Sequence, residues 1–139
     1  MIILAVRHAR AAKRVDWNGD DRLRPLDERG RLQADRLVEQ LSGREFERIL
    51  SSPYLRCVET VEPLAEARGL TVEEDGALAE GSSVAAALAA LRAIGEPVVA
   101  SVHGDLLAEL GGKSPKGSTA VLELQDDSVT VLERLEPPA

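Results

Sequence analysis

Residues 2–8 read IILAVRH, an uninterrupted apolar run that ends abruptly in an arginine and a histidine. Continuous apolar runs of this length are typical of strands buried on both faces of a parallel sheet. A similar pattern returns at residues 97–103, PVVASVH, which end in the other of the chain's two histidines. Because ligands in open α/β sheets bind beyond the carboxyl ends of the strands, we expect His8 and His103 at one edge of the sheet, beside a functional site.

Helical and strand patterns alternate along the rest of the chain. Asp27 is a suitable N-cap for a helix whose apolar stripe consists of Leu32, Leu37, Val38 and Leu41. Further strands are predicted at residues 48–51, 70–72, 119–124 and 129–135, and further helices begin at residues 52–53, 82–83 and 106. Pro63 lies inside the second helical stretch, where we expect a kink or a helix restart.

This order of elements predicts an α/β fold. Strands that alternate with helices favour a three-layer sandwich with a mostly parallel central sheet and helices on both faces. The last two strands flank Asp126-Asp127-Ser128 and predict an antiparallel hairpin at the C-terminal edge. With 139 residues, the chain has the length of one domain, residues 1–139.

The composition excludes several classes of partner. A formal net charge of −7 and only 2% aromatic residues do not suit a nucleic-acid-binding domain, which needs a basic surface and aromatic platforms. The single cysteine, Cys57, excludes an internal disulfide and favours a reducing compartment. Since the sequence shows no basic leader and no apolar run of membrane-spanning length, we expect a soluble cytoplasmic protein that binds neither nucleic acid nor membrane.

Positive charge is concentrated near the first histidine. Residues 1–31 hold eight Lys and Arg against five Asp and Glu, whereas residues 32–139 hold nine against nineteen. Such runs are usually solvated surfaces. An excess of positive charge beside His8 nevertheless suits a single phosphate group.

The side chains that follow the predicted strands suit phosphoryl transfer. Arg7, His8, Arg56, Glu80 and His103 all lie at or just beyond a strand end. Arginine matches phosphate oxygens with paired, charge-assisted hydrogen bonds, and a neutral imidazole can attack phosphorus. A second, protonated imidazole can hold charge on the equatorial oxygens, and a carboxylic acid can protonate the leaving oxygen. These roles need no metal and no other cofactor, so we expect neither.

Several segments resemble, in the same order, the signatures of the histidine phosphatase superfamily, also called phosphoglycerate mutase-like. Residues 7–9, RHA, resemble its RHG motif, and residues 101–104, SVHG, its second-histidine motif. Residues 24–34, RPLDERGRLQA, resemble its RPLTxxGxxQA segment, and residues 51–60, SSPYLRCVET, its SSPxxRAxQT segment. Leu78-Ala79-Glu80 matches its acidic loop.

The resemblance implies a role for each site residue. His8 would be the nucleophile that becomes phosphohistidine, and Glu80 the proton donor. Arg7, Arg56 and His103 would form the phosphate pocket. Only 23 residues separate Arg56 from Glu80, which leaves no room for the helical lid that larger members insert there. The chain therefore resembles the small SixA-like members, whose best-known activity removes phosphate from a phosphohistidine protein.

The substrate and the oligomeric state stay open at this point. A phosphohistidine protein or a small phosphorylated metabolite is one hypothesis. Residues 17–21, WNGDD, also resemble histidine phosphatase domains that follow Nudix domains in some actinobacterial nucleotide hydrolases, which implies nucleotide or dinucleoside-polyphosphate substrates. A hypothesis of another class is a non-catalytic module that binds phosphate or phosphohistidine.

Three departures from the family pattern leave residue roles open. Ala9 replaces the usual glycine of the first motif. Asp105 follows the second histidine, where it could raise the pKa of His103 or compete with Glu80 as the proton donor. The polar residue that usually follows the first motif has no clear counterpart, so Lys13 or Arg14 is the candidate to join the phosphate pocket.

Three other patterns mimic unrelated sites. Residues 112–114, GKS, resemble the end of a phosphate-binding P-loop but lack its first glycine and precede Pro115. Acidic residues between positions 16 and 27 follow calcium-loop spacing without the required glycine. Cys57 lies inside a predicted helix and is interpreted as a packing residue rather than a catalytic thiolate.

Overall fold

The computed structural model describes residues 1–138. The strands within this part of the chain are β1 (Ile2–Arg7), β2 (Arg48–Ser51), β3 (Val72–Glu74), β4 (Val98–Val102), β5 (Thr119–Leu124) and β6 (Val129–Leu135). The helices are α1 (Glu28–Gln40), α2 (Leu55–Arg68), α3 (Val84–Arg92) and α4 (Gly104–Gly111). Short 3₁₀ turns form at Arg14–Asp16, Asp21–Leu23 and Gly76–Leu78.

The six strands form one sheet in the order β3-β2-β4-β1-β5-β6. Strands β3, β2, β4 and β1 run parallel to one another, whereas β5 runs antiparallel to β1 and pairs with β6 as a hairpin. The predicted mostly parallel sheet with an antiparallel C-terminal hairpin is confirmed, and the hairpin strands have the predicted bounds.

Helices cover both faces of the sheet, as predicted. Successive side chains of a strand point to opposite faces, so β1 contributes to two cores. Leu4 and Val6 pack with α1 and α2 on one face, whereas Ile3 and Ala5 pack with α3 and α4 on the other. The two cores on either side of the sheet give the three-layer sandwich.

Helix α1 begins as predicted but buries a different stripe. The Asp27 carboxylate accepts a hydrogen bond from the Gly30 amide, the capping contact expected from the sequence. Leu32, assigned to the apolar stripe, is 45% exposed. At 100° per residue, Leu32 lies about 140° around the helix from Leu37, so the two cannot share a narrow buried face.

Helix α2 begins later than predicted and continues past its proline. The Ser52 amide donates to the Ser101 carbonyl, which extends the strand pairing beyond β2 and delays the helix to Leu55. The expected restart at Pro63 does not occur, since α2 is continuous from Leu55 to Arg68. A proline lacks the amide hydrogen bond and its ring crowds the carbonyl four residues earlier, and packing of the surrounding turns offsets both costs.

The starts of β3 and α4 each differ by two residues from the predicted starts. Strand β3 begins at Val72 rather than at residue 70, because the Leu70 amide still bonds to the Ala65 carbonyl at the end of α2. Gly69 ends that helix with a φ of +67°, a conformation suited to glycine. Helix α4 begins at Gly104, directly after His103, rather than at Leu106.

The sheet register brings the two histidines together. Arg7 of β1 pairs with Val102 of β4, and the His8 amide donates to the Val102 carbonyl at 3.0 Å. Since the strands are parallel, His8 and His103 follow neighbouring strand ends. Strand β2 ends beside β4 on the other side, where Ser51 pairs with Ser101.

No helix within residues 1–138 has both the length and the apolar character needed to cross a bilayer. The single-domain organisation and the cytoplasmic location stay predictions. The absence of a helical insertion between α2 and Glu80 is confirmed, because the described chain forms only β3 and a 3₁₀ turn there.

Candidate active site

His8 is buried at the end of β1 in a defined tautomer. Its Nδ1 lies 2.9 Å from the Ala9 carbonyl oxygen. A carbonyl only accepts hydrogen bonds, so Nδ1 carries the proton and Nε2 keeps its lone pair. Burial lowers the pKa of His8 to about 3; the Ala9 hydrogen bond opposes this shift, and the Arg56 charge adds to it. The imidazole is therefore neutral at pH 7.

His103 is held by the segment that follows β2. Its Nε2 lies 2.8 Å from the Ser52 hydroxyl, and the Tyr54 ring packs edge-on with the ring centroids 4.8 Å apart. The centroids of the His8 and His103 rings are 5.6 Å apart. Burial, and then the charge of Arg56, lower the pKa of His103 to about 4, so this imidazole is also neutral at pH 7.

The position of Arg7 depends on the residue after the second histidine. The Arg7 Nη1 donates to the Ser114 carbonyl. The guanidinium packs on Gly104, where a Cβ atom would lie 2.7 Å from the Arg7 Cζ. Only glycine leaves room for this contact. Burial lowers the pKa of Arg7, yet a guanidinium remains a cation at pH 7.

Arg56 is 1% exposed at the start of α2, and acidic partners compensate its buried charge. The Nη2 lies 3.2 Å from a carboxylate oxygen of Asp21 and 3.2 Å from one of Glu80. The Nη1 donates to the Asp21 carbonyl at 2.9 Å, and the guanidinium lies 5.0 Å from the Tyr54 ring centroid. A buried arginine requires such pairing, because an unpaired charge in the protein interior is costly.

The two candidate proton donors have different surroundings. Glu80 is half-exposed beside Arg56. Both carboxylate oxygens of Asp105 accept backbone hydrogen bonds, from Gly81 at 2.9 Å and from Leu106 at 2.9 Å. Asp105 thereby ties the loop that carries Glu80 to the start of α4. Its charge acts to raise the pKa of His103, as expected, but burial outweighs this effect.

These side chains line one cavity of about 370 Å³. It brings together all five residues selected from the sequence, which are Arg7, His8, Arg56, Glu80 and His103. Asp105 and Arg14 also line it, whereas Lys13 lines only an adjoining groove. Of the two candidates left open, Arg14 is therefore the one at the cavity.

Sequence reasoning missed three basic residues of the cavity wall, Arg24, Lys113 and Lys116. The two lysines lie in the loop that precedes β5. Because β5 is antiparallel to β1, β5 starts beside the end of β1, and the loop that leads into it reaches this edge, where the Gly117 amide bonds to the carbonyls of Arg7 and His8. The predicted hairpin would have placed Lys113 and Lys116 near the site if the orientation of β5 relative to β1 had been known.

Two further residues of the segments that resemble the family signatures, residues 24–34 and 51–60, form hydrogen bonds to the loop after β1. The Thr60 hydroxyl accepts from the Ala9 amide at 2.9 Å and donates to the Arg56 carbonyl at 2.7 Å. The Gln33 side chain accepts from the Arg10 amide at 3.0 Å. Helices α1 and α2 thus fix the backbone on either side of His8.

The unrelated sites considered from the sequence are not formed. Cys57 is fully buried, and burial raises the pKa of its thiol to about 12, which leaves no thiolate at pH 7. Residues 112–114 do not begin a helix, as a P-loop requires. Within residues 1–138, no three His, Cys, Asp or Glu side chains are grouped to hold a metal ion.

Comparisons with known proteins identify the family. A sequence model of the histidine phosphatase superfamily (branch 1) matches residues 3–91. An 8-oxo-(d)GTP phosphatase of Mycolicibacterium smegmatis is 33% identical in an alignment of 156 positions that covers 98% of this chain and 48% of that protein. The chain thus spans about half the length of the curated relative it matches.

Solved structures extend the match to the whole fold. The protein histidine phosphatase SixA, complexed with tungstate, is similar with a TM-score of 0.83 and 28% identity, covering 99% of this chain and 97% of that chain. The alpha-ribazole phosphatase of Shigella flexneri has a TM-score of 0.77 over 100% of this chain and 98% of its own, but only 17% identity, which shows the shared fold alone. The chain therefore belongs to the histidine phosphatase superfamily (branch 1), and both the family and its named relatives support a phosphatase.

Proposed function

We propose that this chain is a metal-independent phosphatase that acts through a phosphohistidine on His8. The state of His8 carries the proposal: a neutral imidazole, with Nδ1 bonded to Ala9 and a lone pair on Nε2, in a cavity lined by arginines. Such an imidazole is a nucleophile at pH 7. The neighbouring guanidinium groups match the charge and geometry of a phosphoryl group.

In the first step, Nε2 of His8 attacks phosphorus. An N–P bond forms while the bond between phosphorus and the leaving oxygen breaks. Glu80 gives a proton to that oxygen, so the leaving group departs as an alcohol or acid rather than as an anion. Arg7 and Arg56 hold the charge on the equatorial oxygens.

In the second step, water attacks the phosphorus of the phosphohistidine. The N–P bond breaks, and its electron pair returns to Nε2 of His8. The attacking water gives a proton to the Glu80 carboxylate, and orthophosphate is released. The cycle restores neutral His8 and returns to Glu80 the proton that it gave to the leaving oxygen.

His103 is assigned the role of a charge-holding group rather than of a nucleophile. The imidazole is neutral before the substrate binds, because burial lowers its pKa to about 4. A phosphoryl dianion beside it favours the protonated form. The Ser52 hydroxyl, 2.8 Å from Nε2, keeps the ring in place through this change.

Glu80 is proposed as the proton donor in preference to Asp105. Glu80 is half-exposed and lies 3.2 Å from Arg56, beside the position of a phosphoryl group bound to that arginine. Asp105 uses both oxygens to accept backbone hydrogen bonds, as a carboxylate does. It is therefore a positioning residue for the loop of Glu80.

Two substrate classes follow from the relatives. The similarity to the protein histidine phosphatase SixA supports a phosphohistidine protein, and a small phosphorylated metabolite is the other form of this hypothesis. The similarity to an 8-oxo-(d)GTP phosphatase supports nucleotides, and dinucleoside polyphosphates belong to the same hypothesis through the resemblance of residues 17–21. A non-catalytic phosphate-binding module is the alternative of another class, and turnover distinguishes it.

The test compares His8→Gln with His103→Gln, since these are the chain's two histidines. Substrates are p-nitrophenyl phosphate, a phosphohistidine peptide, and nucleoside di- and triphosphates. His8→Gln should lose turnover and acid-labile labelling by ³²P-substrate. His103→Gln should still label but turn over at least ~100-fold more slowly.

Normal hydrolysis by a folded His8→Gln variant would overturn the assignment of the nucleophile. Wild-type protein that binds phosphate but hydrolyses none of these substrates would support the non-catalytic alternative. Circular dichroism of both variants checks that the fold is retained.

A further inference from the structure

A second basic concavity adjoins the catalytic cavity. This groove has a volume of about 450 Å³ and is lined by the loop from Arg10 to Val15 together with Arg24 and Lys116. It shares Arg14, Arg24 and Lys116 with the catalytic cavity, so the two form one continuous surface. An anion bound to His8 would therefore lie next to this groove.

We propose that this groove is a second anion subsite that binds the next phosphoryl group of a substrate with two or more linked phosphates. This inference rests on the proposed phosphatase function. The substrate class is a phosphoanhydride, such as inorganic pyrophosphate or a nucleoside diphosphate, whose terminal phosphorus reacts with His8.

The charges of the groove exceed what local carboxylates neutralise. Five basic side chains line it, Arg10, Lys13, Arg14, Arg24 and Lys116, and no acidic side chain does. Two carboxylates offset part of this charge. Asp21 lies 3.7 Å from Arg14 and 2.9 Å from Arg24 and also pairs with Arg56, and Asp27 lies 2.8 Å from Arg10. In a chain with a net charge of −7, such a cluster of positive charge concentrates an anionic ligand.

Two of these cations have no ion-pair partner among residues 1–138, namely Lys13 and Lys116. Neither lies within salt-bridge distance of a carboxylate in the described chain, whereas Arg10 pairs with Asp27 at 2.8 Å. Burial lowers the pKa of Lys116, and the nearby charge of Arg7 adds to this effect. A bound dianion would relieve that repulsion.

Arg24 gives the groove a rigid, oriented contact. Its side chain is only 8% exposed, with Nε bonded to Asp21 at 2.9 Å and Nη1 bonded to the Ala12 carbonyl at 2.7 Å. A guanidinium fixed in this way loses little conformational freedom on binding an anion. Arg24 lines both cavities, so it lies where the bridging oxygen between the two phosphoryl groups would be.

A compact diphosphate fits these features better than the acidic surface of a partner protein. The first phosphoryl group is served by Arg7, Arg56 and His103, so Arg10 and Lys13, which line the groove but not the catalytic cavity, are not needed for a monoester. A second phosphoryl group lies one bridging oxygen away, which matches a groove that shares its wall with the cavity. On attack by His8, the bond from the terminal phosphorus to the bridging oxygen breaks, and the released phosphate or nucleoside monophosphate keeps the bridging oxygen.

The kinetic test uses inorganic pyrophosphate and p-nitrophenyl phosphate with the double variant Arg10→Ala/Lys13→Ala. Neither residue lines the catalytic cavity. The ratio of kcat/KM for pyrophosphate to kcat/KM for p-nitrophenyl phosphate should fall at least ~10-fold. Arg36→Ala, which removes an exposed charge from outside both cavities, should leave that ratio within ~2-fold of wild type.

A binding measurement separates the subsite from the chemistry. By calorimetry, methylenediphosphonate should bind wild-type protein at least ~10-fold more tightly than methylphosphonate, and Lys13→Ala alone should reduce this preference. If no substrate is hydrolysed but the protein still prefers methylenediphosphonate over methylphosphonate, the proposed phosphatase function is wrong and the proposed subsite is supported. An unchanged ratio in the double variant, an equal loss in Arg36→Ala, or a loss confined to a phosphohistidine protein would each overturn the diphosphate subsite.

Discussion

Gly104→Ala should reduce catalysis with little effect on folding. The backbone of Gly104 is outside the left-handed region, so alanine is sterically acceptable to the main chain. Its Cβ, however, would lie 2.7, 2.8 and 2.9 Å from Cζ, Nε and Nη2 of Arg7. Ordinary van der Waals contact begins near 3.4 Å, so the guanidinium must move by at least about 0.7 Å.

The expected loss of activity in Gly104→Ala follows from the role proposed for Arg7. Misplacement of a catalytic group by about 1 Å can cost about 10²-fold, and the displacement here is somewhat smaller. We therefore expect kcat/KM to fall about 10- to 100-fold, equivalent to about 1.4–2.7 kcal/mol of transition-state stabilisation. The displaced atoms are the end of a flexible side chain, so the free energy of unfolding should change by less than about 1 kcal/mol.

Steady-state kinetics with p-nitrophenyl phosphate and urea denaturation measure the two quantities. Gly43→Ala is the matched control, because a Cβ there meets nothing within 4 Å. A Gly104→Ala variant with kcat/KM within twofold of wild type would contradict this expectation, since Arg7 would then tolerate displacement. Loss of activity together with global unfolding would also contradict it.

Two further predictions concern stability. Gly30→Ala should lower the free energy of unfolding by about 2–4 kcal/mol, because its Cβ would lie 1.8 Å from the Arg10 carbonyl oxygen, a backbone atom that cannot rotate away. Urea denaturation measures this change, with Gly43→Ala as the control. A decrease below about 1 kcal/mol would contradict the prediction. The protein should also lose stability as the pH falls below 6.5. The unfolded chain then binds protons on both histidines, whereas folded His8 and His103 stay neutral down to about pH 3 and about pH 4. The free energy of unfolding should therefore decrease by up to about 1.4 kcal/mol per pH unit for each imidazole, and the double variant His8→Gln/His103→Gln should lose most of this slope between pH 6 and pH 5.

Local sequence patterns are sufficient to place the reactive groups at the ends of strands. Apolar runs specify the buried strands β1 and β4, and a parallel sheet places the residues after them at one edge. His8 and His103 could therefore be paired from local patterns alone. Arg56 followed from its place just beyond the second strand, and the resemblance of residues 51–60 to a known segment added its expected role in the phosphate pocket.

The chemical state of those groups and the extent of the site depend on contacts between distant parts of the chain. The tautomer of His8 depends on the Ala9 carbonyl, and the low pKa values of both histidines depend on burial, which no local pattern specifies. Arg7 contacts Ser114 and Gly104, and Lys116 reaches the cavity through the loop before β5; these contacts join segments about a hundred residues apart. Propensity and periodicity act over a few residues, whereas desolvation and charge pairing depend on the whole packed chain.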